Sequence, residues 1–308
     1  MNKKKFSLGI SIIRYWELYM LFLPVAVWYV IFCYMPMTGL VIAFKDFSVV
    51  KGINNSAWVG FKIFDNLISM KSFSTAFVNT LVFSIQKLVF AFPLPIIFAV
   101  LLNEISRNRW KRFVQTISYL PHFVSWSAAG GIIYMLLAPE TGAINNLIVL
   151  FGGEAKNYIG ISENFRVIVL LSHIWKNLGW SAIVFLAAIT GVDEELYEAA
   201  YIDGAGCLQR IIHITIPSIV PTICVMLIMQ MGNVLNISFD QIFILANNMV
   251  LDVAETIDYF VYRVGLSTVN NFAQATAAGL IKSVIGLVLV VSTNLITKKI
   301  SDGEAGIW

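Results

Sequence analysis

Charged side chains are scarce in this sequence. They make up 13% of its 308 residues, while apolar types reach 58%. Soluble globular proteins carry about 25% charged residues, so a soluble domain is excluded and an integral membrane protein is expected. The formal net charge is only +3, and no block of basic residues is interleaved with aromatics. That excludes a nucleic-acid partner. Cysteine is nearly absent. Cys33, Cys207 and Cys224 form neither a disulfide framework nor a metal-ligand spacing, and they read as small apolar fillers. No G-x-x-x-x-G-K-[ST], H-E-x-x-H or C-x-x-C is present. The chain is therefore not expected to hold ATP through a phosphate loop of its own, nor a catalytic metal. Its three histidines, His122, His173 and His213, lie far apart in the chain and cannot be argued into a triad. No repeat of 20–50 residues and no low-complexity linker divides it, so one polytopic helical domain is the economical reading.

What the sequence does hold is long apolar runs. A membrane-crossing helix needs about 20 mainly apolar residues, and six windows qualify: roughly 18–44, 77–102, 113–138, 167–191, 219–246 and 273–297. The run from Leu18 to Phe44 is too long for the apolar part of a cleaved leader and is followed by no small-x-small cleavage site, so it reads as a retained span. Lys45 to Ala76, Pro139 to Arg166 and Asn247 to Asn271 read as external loops. Positive charge sets the expected orientation. Eleven Lys and Arg, including Lys3, Lys4, Lys5, Arg14, Arg107, Arg109, Lys111, Arg112, Arg210, Lys298 and Lys299, fall on one side, against seven diluted over long loops. Both termini are expected in the cytoplasm. The domain bounds are then a cytoplasmic segment 1–17, a six-span domain 18–298 and a cytoplasmic tail 299–308. The lipid bilayer is the first partner.

One connection does not look like a connector. "DEELYEAAYIDGAGCLQRIIHITIP", within about 192–218, reads as two short helices. Glu194 to Ile202 has acids in its early turns and apolar Leu196, Ala199 and Ala200 at helical spacing. Asp203-Gly204 marks a turn, because glycine reaches positive φ without strain. Leu208, Ile211 and Ile212 give a second amphipathic helix, and Pro217 and Pro221 stop or kink the chain as it returns to the membrane. Such a pair can lie on lipid, pack on its own protein or dock on another. Its acidic start argues against anionic lipid.

The same residues resemble the EAA loop of permease subunits of bacterial binding-protein-dependent ABC importers. Glu198, Ala199, Ala200, Asp203, Gly204, Ala205, Ile214 and Pro217 match that pattern in register. Ile216 stands where leucine is usual, and Leu208 and Ile211 stand where aromatics are frequent. "YMPMTGLVIAFKDF", "WVGFKIFDN", "NTLVFSI", "LPHFVSW", "HIWKNLGWSAIVFLAAITGV" and "ISFDQIFIL" extend the resemblance along the chain, toward the polysaccharide and oligosaccharide branch of the maltose-type permeases. The resemblance implies an all-α membrane fold of six spans with a cytoplasmic coupling loop. It implies oligosaccharide or polysaccharide-fragment import with no catalysis in this chain. It further implies a second homologous permease, an ABC ATPase dimer that binds ATP and Mg and receives the EAA loop, and an extracytoplasmic, lipoprotein-type sugar-binding protein. The alternatives are an ABC permease for a non-sugar solute and an ion-coupled secondary transporter. The latter would more often show inverted repeats and buried acids, and Asp240 is the one candidate acid within a span.

Polar residues inside spans are costly and often functional. On the fourth span His173, Lys176, Asn177 and Trp180 follow i, i+3, i+4, i+7. On the fifth, Gln230, Asn233, Asn236, Asp240 and Gln241 would fall within an arc of roughly 140°. Both faces qualify as a sugar path, and both would equally serve as hydrogen-bonded glue between spans. Lys87 and Lys282 stand alone in their spans, where pairing or snorkelling is expected. Ala275, Gly279 and Gly286 form a small-residue stripe read as a close-packing face, and Pro93 and Pro95 imply a kink.

Overall fold

The computed structural model describes residues 15–267 and 271–300. The basic segment with Lys3, Lys4, Lys5 and Arg14, and the tail from residue 301, lie outside the described residues. Five uninterrupted helices are long and apolar enough to cross a membrane: Trp16–Phe44, Lys71–Asn103, Ser162–Thr190, Cys207–Gly232 and Phe272–Lys299. A sixth crossing is broken into Asn108–Phe123 and Trp126–Leu137, bent by 103°. In chain order the broken pair is the third span. A two-stranded antiparallel ribbon, Lys45–Asp46 with Ala57–Trp58, follows the first span.

Prolines shape these helices without ending them. Pro93 cannot donate to the backbone ladder, and the turn before it, Lys87–Ala91, widens to π geometry. Pro217 is preceded in the same way by the π turn Ile211–Thr215. Of the stop or kink expected at Pro217 and Pro221, no stop occurs: Cys207–Gly232 runs as one helix, with the π turn as its local distortion. In the third span Pro121 lies in a short 3₁₀ turn, after which Val124 and Ser125 are extended. There the Ser125 hydroxyl accepts from the Ala128 N–H at 3.2 Å and starts the second half-helix.

One expectation is corrected by the segment between the fifth and sixth spans. The fifth span ends at Gly232, not near residue 246, because Asn233 leaves helical geometry. Phe239–Leu245, Leu251–Ala254 and Ile257–Tyr262 are then separate short helices. The later part of this segment, expected as an external loop, is not a free connector: it packs on the spans. Ile237, Ile242, Leu245, Val250 and Ala254 pack with Phe83, Phe165 and Val169 of the second and fourth spans. Ile257 and Phe260 join Phe73, Ala76, Ala277 and Ala278 in a second cluster. Irregular backbone among apolar helices must find its partners within the protein, and the second span supplies them. Asn79 donates to the carbonyls of Asp252 at 2.8 Å and Glu255 at 3.1 Å. Thr80 accepts from the Ile257 N–H at 2.8 Å, and Ser84 donates to the Val234 carbonyl at 2.8 Å.

The small-residue stripe is also only partly a packing face. Ala275 is buried and sits under Gly265, where an added Cβ would meet it at 2.8 Å, whereas nothing lies within 4 Å of a Cβ at Gly279 or Gly286.

Candidate functional site

The loop at 192–218 is built by local rules. The Asp193 carboxylate accepts from the Glu195 N–H at 3.0 Å and caps the helix Glu194–Ile202, whose first turn carries Glu194 and Glu195. Negative charge at a helix start is favoured by the backbone dipoles. The helix ends as the turn signal predicts. Gly204 has φ +77°, and the Ala205 N–H returns to the Ala200 carbonyl at 2.9 Å. The Gln209 side chain accepts from the Gly206 N–H at 2.8 Å and opens the second helix. That helix is the continuous start of the fifth span.

Two struts hold the loop against the bundle. Tyr197 Oη and Thr215 Oγ1 lie 2.9 Å apart, with Thr215 fully buried. Arg210 pairs with Glu104 at 3.9 Å, and the Cys207 thiol donates to the same carboxylate at 3.2 Å. What the struts leave outward includes an apolar set among acids: Leu196, Tyr201, Ile202, Leu208 and Ile212 are all exposed, Ile202 at 83%, as are Glu194, Glu195 and Glu198. Of the matched residues Glu198, Ala199, Asp203, Gly204 and Pro217 are exposed, and Ala200, Ala205 and Ile214 are half-buried. Ile211, the third apolar residue of the second helix, turns inward onto the cluster of Phe185, Ile189 and Ile219.

The fourth-span stripe divides. His173 and Asn177 line a small cavity of about 80 Å³ with Gln230 of the fifth span and Ala91, Phe92 and Pro95 of the second. Lys176 and Trp180 belong instead to the break in the third span. The Lys176 ammonium donates to the carbonyls of Pro121 at 3.3 Å, His122 at 2.6 Å and Val124, and its side chain is buried. It acts as a strut onto the broken third span. The break exposes backbone carbonyls that no helix satisfies, and a buried cation is the complementary donor. Trp180 stacks flat on His122, ring centroids 4.5 Å apart. Asn177 joins the two groups, with its oxygen 3.3 Å from His122 Nδ1 and its nitrogen 3.3 Å from His173 Nδ1.

His122 is therefore a site residue that sequence spacing misses. Its one signal is a histidine directly after a proline inside an apolar window. Gly179 is a second. It is buried on the face that meets the third span, where a Cβ would press on the backbone of Ser118.

The fifth-span arc is not formed, because the helix that would carry it stops at Gly232. Gln230 alone of that set joins the cavity. Asn233 and Asn236 bond each other at 3.2 Å in the turn beyond and are exposed. Asp240 is exposed on a separate helix. Gln241 is fully buried and donates to the Val169 carbonyl at 2.7 Å and to Ser172 at 2.9 Å, which makes it a packing residue.

A broken third span, an inward-folded segment before the last span and an exposed helical pair between the fourth and fifth spans define the architecture. Residues 91–302 match the family of binding-protein-dependent transport system inner membrane components. The chain belongs to this family. It is thus a multi-pass permease subunit of an ABC importer, a transport component and not an enzyme, and an ion-coupled transporter is set aside. The Bacillus subtilis polygalacturonan/rhamnogalacturonan transport system permease protein YteP is 43% identical over 307 residues, covering 100% of this chain and 95% of its own. Protein LplB of the same organism is 42% identical over 282 residues, covering 92% of this chain and 88% of its own. A solved bacterial ABC transporter involved in the import of the acidic polysaccharide alginate has a chain with TM-score 0.89 and 38% identity, covering 95% of this chain and 99% of that one. A second structure, of the alginate transporter in complex with alginate pentasaccharide-bound periplasmic protein, gives TM-score 0.90 at 38% identity, covering 97% of this chain and 99% of that one.

Proposed function

We propose that this permease imports acidic oligosaccharides, fragments of uronate-rich polysaccharides. The observation that carries the reading is near-full-length similarity to permeases named for polygalacturonan/rhamnogalacturonan and alginate, at 43% and 38% identity. In this reading a second, homologous permease completes the membrane unit. A separate ATPase pair binds ATP and Mg and receives the exposed apolar row of residues 192–218 in its surface, with Glu198, Asp203 and Gly204 setting the shape of the contact. An extracytoplasmic binding protein delivers the glycan from the opposite side, and both termini lie with the ATPases. The cavity of His173, Asn177 and Gln230 borders the sugar path, offering donors and acceptors for hydroxyl groups.

The test is reconstitution. The four-part complex in proteoliposomes should hydrolyse ATP faster, and take up labelled trigalacturonate, when the loaded binding protein is outside. Stimulation by a neutral oligosaccharide or by a phosphorylated small solute, with none by uronate oligomers, would overturn the substrate class.

A further inference from the structure

Three lysines lie inside the spans, and two are accounted for by the protein itself. Lys176 is held by three carbonyls. Lys282 Nζ lies 2.5 Å from the Asp258 carboxylate. Lys87 differs. It is 6% exposed, and among the described residues it makes no hydrogen bond or ion pair. Asp258 is close enough to act on it electrostatically, but that carboxylate is already bound to Lys282. Its other titratable neighbour across the helices is His173, which lines the cavity.

A cation buried among membrane helices is kept only where it faces a partner or a polar path. Lys87 begins the π turn Lys87–Ala91 that precedes Pro93. Ala91, one turn on, lines the same cavity as His173. In the residue just before it, the Gln86 side-chain oxygen is also buried without a partner. This turn of the second span thus holds a cation without a bonded counter-charge next to an acceptor without a donor, and its last residue, Ala91, lines the cavity with His173, Asn177 and Gln230.

We propose that Lys87 is the carboxylate-recognising residue of the translocation path: its ammonium pairs with the uronate group of each sugar unit as it passes the cavity. The proposal rests on the acidic-oligosaccharide reading above and narrows it to one residue. A permease for neutral sugars gains nothing from a buried lysine here, whereas a polyanion crossing an apolar bundle needs at least one fixed counter-charge. The pairing involves a single moving anion at a time, so it holds the glycan without trapping it.

The test uses the full complex in proteoliposomes with trigalacturonate as the transported probe, after co-purification has established that each variant assembles. Lys87→Met and Lys87→Gln should lower uptake by about tenfold or more, the scale of one charge-assisted hydrogen bond, and Lys87→Arg should keep most of it. Lys87→Cys should lose uptake, regain it on reaction with aminoethyl methanethiosulfonate, which restores a positive charge, and not regain it with the uncharged methyl reagent. Wild-type uptake by Lys87→Met, or rescue by both reagents alike, would overturn the proposal. So would failure of both neutral variants to assemble, which would assign the charge to folding. Absence of trigalacturonate uptake by the wild-type complex is a separate outcome: it sinks the acidic-glycan reading first, and the role of Lys87 with it.

Discussion

Gly179 offers the sharpest structural test, because nothing flexible stands opposite it. A Cβ placed there would press into the Ser118 carbonyl and lie 2.9 Å from the Ser118 Cβ. Carbon atoms pack best at about 3.5–4.0 Å, and the Ser118 carbonyl carbon would lie only 2.5 Å away, so Gly179→Ala must push the third and fourth spans apart by roughly 1–1.5 Å. Backbone cannot swing aside as a long side chain would. Overpacking of this kind costs about 1–3 kcal/mol, which corresponds to roughly 1.5–5 °C in midpoint temperature for a chain of this size. The strain falls one turn from the stack of Trp180 on His122, at 4.5 Å, and beside the Asn177–His122 contact at 3.3 Å. Thermal unfolding of the purified complex should show the loss of stability, and tryptophan emission should report Trp180 leaving its stack. Gly131→Ala is the control, since nothing lies within 4 Å of a Cβ there, and it should be neutral or slightly stabilising by helix propensity. An unchanged midpoint and unchanged emission in Gly179→Ala would refute the close approach of these two spans.

Other expectations concern the loop and the third-span break. Gly204→Val forces a branched side chain to φ +77°, a strain of about 1–3 kcal/mol, with no steric clash to add. Membrane insertion should be normal while ATP hydrolysis and uptake become uncoupled, and wild-type uptake would contradict the docking role. Glu198→Lys, on an exposed face, should weaken retention of the ATPase pair in co-purification without shifting thermal stability; full retention would remove that carboxylate from the contact. Lys176→Met should lower stability rather than selectivity, because it strips the donor from the carbonyls of His122 and Val124, each costing about 1–3 kcal/mol when left unsatisfied. Selective loss of uptake with an unchanged midpoint would return Lys176 to the sugar path.

The loop is legible in the sequence because its signals are local. Asp193 as a cap, Gly204 at positive φ and the Gln209 return bond each involve neighbours a few residues apart. Span number is legible for the same reason: hydropathy is a sum over one window. The end of the fifth span is not. Residues 234–245, "VLNISFDQIFIL", are apolar enough to read as more of the span before them, and burial against Phe83 and Phe165 needs apolar residues just as lipid does. Composition therefore cannot separate a helix in lipid from an irregular segment enclosed by helices. Lys176 misleads for a related reason. A lysine in an apolar helix signals that some partner exists, but the partner is backbone released by a proline 55 residues earlier, and no periodicity on the fourth span encodes that.

The continuity of Cys207–Gly232 has a mechanical meaning. Twenty-six residues in one helix make a rod of about 39 Å, fixed near its lower end by Arg210 on Glu104. A body that grips Leu208 and tilts it by roughly 10° would swing the far end, beside Gln230, through about 7 Å. The rod is weakest at Ile211–Thr215, where the π turn has already let one backbone bond slip out of register. Adding or removing one residue there would rotate everything above it by about 100° relative to the grip, so the loop sequence and the cavity-lining face at Gln230 are locked in phase by a single stretch of five residues.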